Sequence, residues 1–139
     1  MNRMIGKIAG LAALPGLFLF LQVVPARAGA VEMEIFYLPH RPAIAVVEKV
    51  EQVTAEFNNI TIKKYSFEDP DAEKLLEKYG ITEHMPVAVF INGKNSFTVN
   101  GRSLKFRNFP KGDAFVPTFA GEWDYSDLRT VLTELAGGK

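Results

Sequence analysis

Apolar residues follow two different rhythms along this chain. Val31 to Leu38, Ile60 to Ser66 and Val87 to Ile91 are alternating or continuous in apolar character, rich in β-branched and aromatic side chains, and bounded by turn-forming residues, so each predicts a strand. Between them the spacing lengthens. Val46, Val50, Val53 and Phe57 recur at steps of four, three and four, with Glu48, Lys49, Glu51, Gln52 and Glu56 filling the other side. That is the signature of an amphipathic helix, and Pro42 suits its first turn. A second helix is expected from Asp69 as cap and Pro70 at the first helical position; Ala72, Leu75, Leu76 and Tyr79 form its apolar stripe and Gly80 its stop.

Asn92-Gly93 follows Ile91 directly, and this dipeptide is a strong two-residue hairpin signal. It predicts that the third strand turns back into a fourth at about Ser96 to Asn100. A last helix is expected to open at Asp124, with Trp123 stapled onto Leu128 ahead of the cap. Leu128, Val131, Leu132 and Leu135 form its stripe, and Gly137-Gly138 ends it. The element order is therefore β-α-β-α-β-β-α, with the segment 101–120 inserted before the last helix.

The first 28 residues follow neither rhythm. Arg3 and Lys7 precede an apolar run from Ile8 to Val24, and Ala26-Arg27-Ala28 places small residues where a signal peptidase reads them. The expected outcome is cleavage before Gly29, export to the periplasm or the medium, and no membrane span afterwards. An uncleaved anchor is the rival reading. It has only about 17 apolar residues, interrupted by Pro15-Gly16, against the roughly 20 that a spanning helix needs.

Composition then narrows the function classes. The chain has 139 residues, 47% of them hydrophobic and 23% charged, which suits one globular domain over 29–139. Loss of Arg3, Lys7 and Arg27 leaves 13 basic against 16 acidic side chains, a net charge of −3. That balance argues against general affinity for nucleic acid or anionic membranes. There is no cysteine at all.

The missing sulfur matters because of three motifs. Phe36-Tyr37 followed by His40-Arg41-Pro42-Ala43, then Tyr79-Gly80-Ile81 leading to Met85-Pro86-Val87, then Val89-Phe90-Ile91-Asn92-Gly93-Lys94, together resemble a thioredoxin-like domain. The resemblance spans residues 31 to 100 and the last helix, and it implies a four-stranded mixed sheet flanked by three helices. It also places His40 and Ala43 where the two active-site cysteines would stand. Thiol-disulfide exchange needs a thiolate to attack and a second sulfur to leave, so this chain is expected to be redox-inactive and not an enzyme of that class.

What the resemblance leaves is a groove. It implies a cis bond at Met85-Pro86 and a peptide-binding surface lined by His40, Arg41, Pro42, Ala43, Met85 and Pro86, which needs no cysteine and no cofactor. The expected function is binding of a polypeptide partner in the cell envelope. Two alternatives stand beside it. His40, His84 and Met85 offer two imidazoles and a thioether, a donor set suited to copper. The segment 101–120 alternates Arg102, Lys105, Arg107 and Lys111 with Leu104, Phe106, Phe109 and Pro110, and so offers a rim or lid, or the partner contact of a structural subunit. The bland reading of that segment is lysine and arginine stems lying over core aromatics.

Other candidate chemistry falls away. Ser103 and Ser126 have no visible His/Asp arrangement for a hydrolase. Glu68, Asp69, Asp71 and Glu73 lack calcium-ligand spacing and cluster where a helix N-terminus attracts acids. Asn59-Ile60-Thr61 is a glycosylation sequon, in a chain whose leader looks bacterial.

Overall fold

The computed structural model of the chain describes residues 29–137. The signal segment expected over 1–28 lies outside them, as does Gly138. The elements run β1 (Val31–Tyr37), α1 (Arg41–Thr54), β2 (Ile60–Ser66), α2 (Pro70–Lys78), β3 (Val87–Ile91), β4 (Ser96–Val99), β5 (Arg102–Lys105), a single 3-10 turn at Pro117–Phe119, and α3 (Tyr125–Ala136). Strand and helix types match the apolar rhythms that predicted them.

β1 lies at the centre. It pairs in parallel with β2, from Val31↔Ile60 to Tyr37↔Ser66, and antiparallel with β3, from Met33↔Ile91 to Tyr37↔Val87. Successive side chains of a strand point to opposite faces, and this alternation divides the interior in two. Val31, Met33 and Ile35 join Val87, Val89 and Ile91 against α1 and α3, which contribute Val46, Val50, Leu128, Val131 and Leu132. On the opposite face Phe36, Ala88 and Phe90 meet Ala72 and Met85, with Leu75, Leu76, Tyr79 and Ile81 packed around them. The architecture is thus α/β, a small mixed sheet with helices on both faces. Among the described residues β2 is paired on one side only, and its exposed Lys63 and Lys64 guard the open edge against chance pairing.

The expected four-stranded sheet is corrected. Three strands form it, in the order β2-β1-β3, while β4 and β5 make a separate two-stranded hairpin. The cause is a second turn of the same kind as the first. Asn100 and Gly101 adopt left-handed conformations, φ 50° and 76°, and they fold Ser96–Val99 onto Arg102–Lys105. Between the Asn92-Gly93 turn and β4 only the bridge Ile91↔Lys94 joins that arm to β3. The place beside β3 goes instead to residues 106–108: Val89 N–H donates to the Phe106 carbonyl at 2.9 Å and Asn108 N–H to the Val87 carbonyl at 2.8 Å. The segment 101–120 is therefore not a separate insertion. It supplies β5 and carries Leu104, Phe106 and Phe109 into the core.

The cis-proline is also corrected. The described residues contain no cis peptide bond. Pro86 stands immediately before β3, where a proline needs no donor, and its carbonyl accepts the Leu38 N–H at 2.9 Å. The Tyr37↔Val87 pairing is thereby extended by one more bond across a trans peptide.

The outer end of the fold closes around Trp123, which is fully buried. Its indole N–H is shared between the carbonyls of Arg107 (3.1 Å) and Asn108 (3.2 Å), and its ring meets Phe106 edge-on at 5.4 Å. The next residue, Asp124, caps α3 through a reciprocal pair: it accepts the Asp127 N–H at 2.8 Å, and Asp127 accepts the Asp124 N–H at 2.9 Å. Asp127 is buried and also receives the Arg102 guanidinium at 2.9 Å. Asp69 at the start of α2 behaves differently. Its carboxylate turns back to the Ser66 N–H at 2.9 Å and leaves the helix amides without a side-chain cap.

Gly121 is where two backbone segments touch. A Cβ there would stand 2.5 Å from the Arg107 carbonyl oxygen and 2.7 Å from that of Phe109. Backbone cannot rotate away as a side-chain tip would. Gly121→Ala is therefore expected to lower stability by about 2 kcal/mol, and the melting temperature by roughly 10 °C; an unchanged melting curve would show that the two segments yield freely.

Candidate functional site

The turn from β1 into α1 is where sequence places the working surface. His40 precedes α1 in an extended conformation and makes no side-chain cap, Arg41 and Pro42 open the helix, and Ile44 N–H donates to the His40 carbonyl at 3.0 Å. His40, Arg41 and Pro42 are exposed, whereas Ala43 (2%) and Met85 (8%) are buried and Pro86 is buried beside them. The six expected groove residues thus do not line one open channel. They separate into a surface turn and a buried support.

Cavities lie on both sides of that turn. One, of about 200 Å³, is lined by Leu38, Phe67, Leu76, Ile81 and Met85, with Thr82, Glu83 and His84 at its rim. Its position follows from topology. Leu38 and Phe67 are the residues that leave the carboxyl ends of β1 and β2, and β1 is the strand at which the connections reverse direction, with β2 on one side and β3 on the other. The crevice beyond the strand ends at such a reversal is the usual ligand position in open α/β sheets.

The end of α2 builds the far wall. Gly80 adopts a left-handed conformation, φ 64°, its N–H donates to the Glu77 carbonyl at 3.0 Å, and the Ile81 N–H reaches the Leu76 carbonyl at 2.9 Å. These two bonds are the Schellman arrangement, which brings the apolar residue just past the glycine onto the one a turn earlier. Ile81 and Leu76 meet for that reason, and the cavity opens between them and Leu38.

A second cavity, of about 420 Å³, continues along α2 and shares Phe67, Leu76 and Ile81 with the first. Its remaining lining is Glu68, Asp69, Pro70, Glu73 and Glu77. On the other side of the turn a cavity of about 370 Å³ lies between Pro42, Ala45, Val46 and Lys49 of α1 and residues 112–115. Phe115 (82% exposed) and Val116 (48%) stand at this border, and they are the large apolar side chains most open to solvent among the described residues. Nearby, Asp113 holds Lys49 at 3.3 Å and accepts the Tyr125 hydroxyl at 3.0 Å. Burial and that hydrogen bond push the Tyr125 phenol well above its ordinary range.

The rim expected from 101–120 is corrected in part. Phe106 (0%) and Phe109 (8%) are core residues, because residues 106–108 complete the sheet and bury the alternate side chains. Arg102 is held by Asp127 and by the Glu122 carbonyl, both at 2.9 Å. Arg107 lies 3.6 Å from Glu83, and Lys105 is exposed. Both border a further cavity of about 200 Å³ with Tyr79 and Asn95. The three copper candidates differ in their relation to the strand-end cavity. His84 and Met85 border the strand-end cavity, His40 is not part of its lining, and among the described residues no group of three or more His, Cys, Asp or Glu side chains is arranged to hold a metal.

Leu76, Phe67 and the exposed Phe115 lie outside the motifs, and Ile81 stands within one without being read there as a cavity residue. For Ile81 a signal was present: an apolar residue directly after a helix-stopping glycine is the usual partner of the side chain one turn back. Phe115 carries no periodic signal of any kind.

Compared with protein-family models, curated proteins and solved structures, the chain matched none of them. Among the described residues no helix is long and apolar enough to cross a membrane.

One electrostatic consequence is measurable. Tyr79 stacks on Phe90 at 4.1 Å and donates to Glu34 at 2.6 Å. Burial and then the Glu34 carboxylate raise its phenol to about 12. The neutral phenol is favoured in the fold, so its contribution to stability is complete below the ordinary value of 10.0 and is lost as pH climbs toward about 12. In a spectrophotometric titration at alkaline pH, Tyr79→Phe is expected to remove the phenolate step near pH 12; retention of that step would place the shift elsewhere.

Proposed function

We propose that this is an exported thioredoxin-like domain without thiol chemistry that binds a polypeptide segment at the carboxyl end of its sheet. The β-α-β-α-β order and the β2-β1-β3 sheet with β3 antiparallel are compatible with that fold. The observation that carries the binding reading is the strand-end cavity, apolar in its floor and polar at its rim. Its volume suits one apolar side chain. Burying a leucine or phenylalanine there contributes about 2 kcal/mol, a factor of roughly 30 in Kd, so the cavity serves as an anchor within a longer contact and not as a complete ligand site.

Absence of cysteine from the whole chain supports a non-redox role, and turnover of a disulfide substrate by the purified protein is expected to be nil.

A second reading is favoured by one observation, the exposure of Phe115 and Val116. Large apolar side chains left open to water side by side mark a contact surface more often than chance. On that reading the protein is a structural subunit that meets its partner through residues 112–117.

One experiment separates the two. A photoreactive residue is placed in turn at Thr82 on the cavity rim, at Phe115, and at Gln52 on the exposed face of α1, and adducts formed in the native compartment are read by mass. A polypeptide adduct at position 82 that disappears in a Leu76→Asp background is expected. An adduct at 115 alone would replace the first reading with the second, and no adduct at either position beyond the Gln52 level would overturn both.

A further inference from the structure

The walls of the groove along α2 carry charge of one sign. The two contiguous cavities share the apolar strip Phe67, Leu76 and Ile81, and neither is lined by a lysine or an arginine. Glu68, Asp69, Glu73 and Glu77 line the α2 side. Asp69 is occupied by the Ser66 N–H, and Glu83 at the rim by Arg107. Glu68, Glu73 and Glu77 have no cationic partner among the described residues, where the ion pairs all lie elsewhere.

Stability explains some of these acids and not others. Acidic residues in the first turn of a helix meet the positive end of its dipole, which accounts for Asp71 and Glu73. Glu77 has no such account. It stands in the last turn of this nine-residue helix, where the dipole disfavours a negative charge, and four residues after Glu73, where two like charges repel along one face. Both effects act against α2. Glu73 and Glu77 nonetheless line the same groove, on the flank of its apolar strip.

We infer that the segment bound in this groove is basic and apolar: an extended polypeptide stretch whose apolar side chain enters between Leu38 and the Leu76–Ile81 pair while flanking lysines or arginines lie against Glu73 and Glu77. The inference rests on the proposed polypeptide-binding role and adds the chemistry of the partner. Charge complementarity selects this occupant. An acidic segment would meet repulsion along the whole α2 wall, and a purely apolar one would leave the paired glutamates facing each other.

The test uses the purified chain and three series of short synthetic peptides with the same central leucine or phenylalanine, flanked by lysine and arginine, by serine, or by glutamate. Binding is followed by fluorescence anisotropy at about 0.02 M and about 0.5 M salt. The basic series is expected to bind about tenfold more tightly than the serine series at low salt, with the advantage shrinking at high salt. In the double variant Glu73→Gln, Glu77→Gln the advantage is expected to vanish while serine-flanked peptides bind as before. These substitutions remove the Glu73–Glu77 repulsion and the charge disfavoured at the end of α2 while giving up the dipole contact of Glu73, and circular dichroism checks that the helix is kept.

Equal or tighter binding of the glutamate series, or a basic preference that survives the double variant, would overturn the inference and leave the groove itself standing. Failure of all three series to bind would overturn the polypeptide-binding reading, and the inference with it.

Discussion

The structure depends on one strand being satisfied on both edges. β1 bonds in parallel to β2 and antiparallel to β3, and every other element takes its place from that arrangement. Its alternating side chains decide which helices share a face, and its carboxyl end leaves Leu38 between the first turn of α1 and the loop before β3. The bond from Leu38 N–H to the Pro86 carbonyl extends the pairing one residue beyond the strand and so fixes the height of the cavity floor. A backbone committed in this way cannot also present itself to a ligand. The proposed anchoring surface is accordingly made chiefly of side chains.

Periodicity carried most of the architecture, because elements that bury a stripe must repeat it. Val46, Val50 and Val53 announced α1, and the continuous run Val87 to Ile91 announced a strand, which the fold buries on both faces. Pairing was harder to read. Asn92-Gly93 marked a turn, but Asn100-Gly101 is the same signal eight residues later and redirects Ser96–Val99 from β3 to β5. Once that happens, the neighbour of β3 must come from further along the chain, and residues 106–108 fill the place. The basic and aromatic alternation of 101–120 is the mark of a strand segment half in the core, with Phe106 inward and Lys105 outward.

The site was legible only at its edges. His84 and Met85 do border the strand-end cavity, but as rim and floor, and the exposed His40 is not part of its lining. Leu76 and Ile81 come together through a helix-ending turn that motif spacing does not measure. Glu77 gains meaning only when its position near the end of α2 and its absence from the ion pairs of the described residues are known together. A charge that is unfavourable for its own helix is informative in a way that a well-placed charge is not, since stability gives no reason to keep it.

The uneven division of the interior has a thermodynamic consequence. The face toward α1 and α3 holds most of the buried apolar side chains, while the α2 face rests on a small cluster around Phe36, Ala72, Met85, Ala88 and Phe90 and on a helix of nine residues. Local opening of a layer costs less than global unfolding when fewer buried contacts hold it. The α2 layer is then expected to open before the α1 and α3 layer, and its backbone amides to exchange with solvent sooner. A segment bound against Leu76 and Ile81 would add contacts to that layer alone, so occupancy and local order would rise together: the surface proposed to recognise a partner is also the part of the molecule that a partner would tighten.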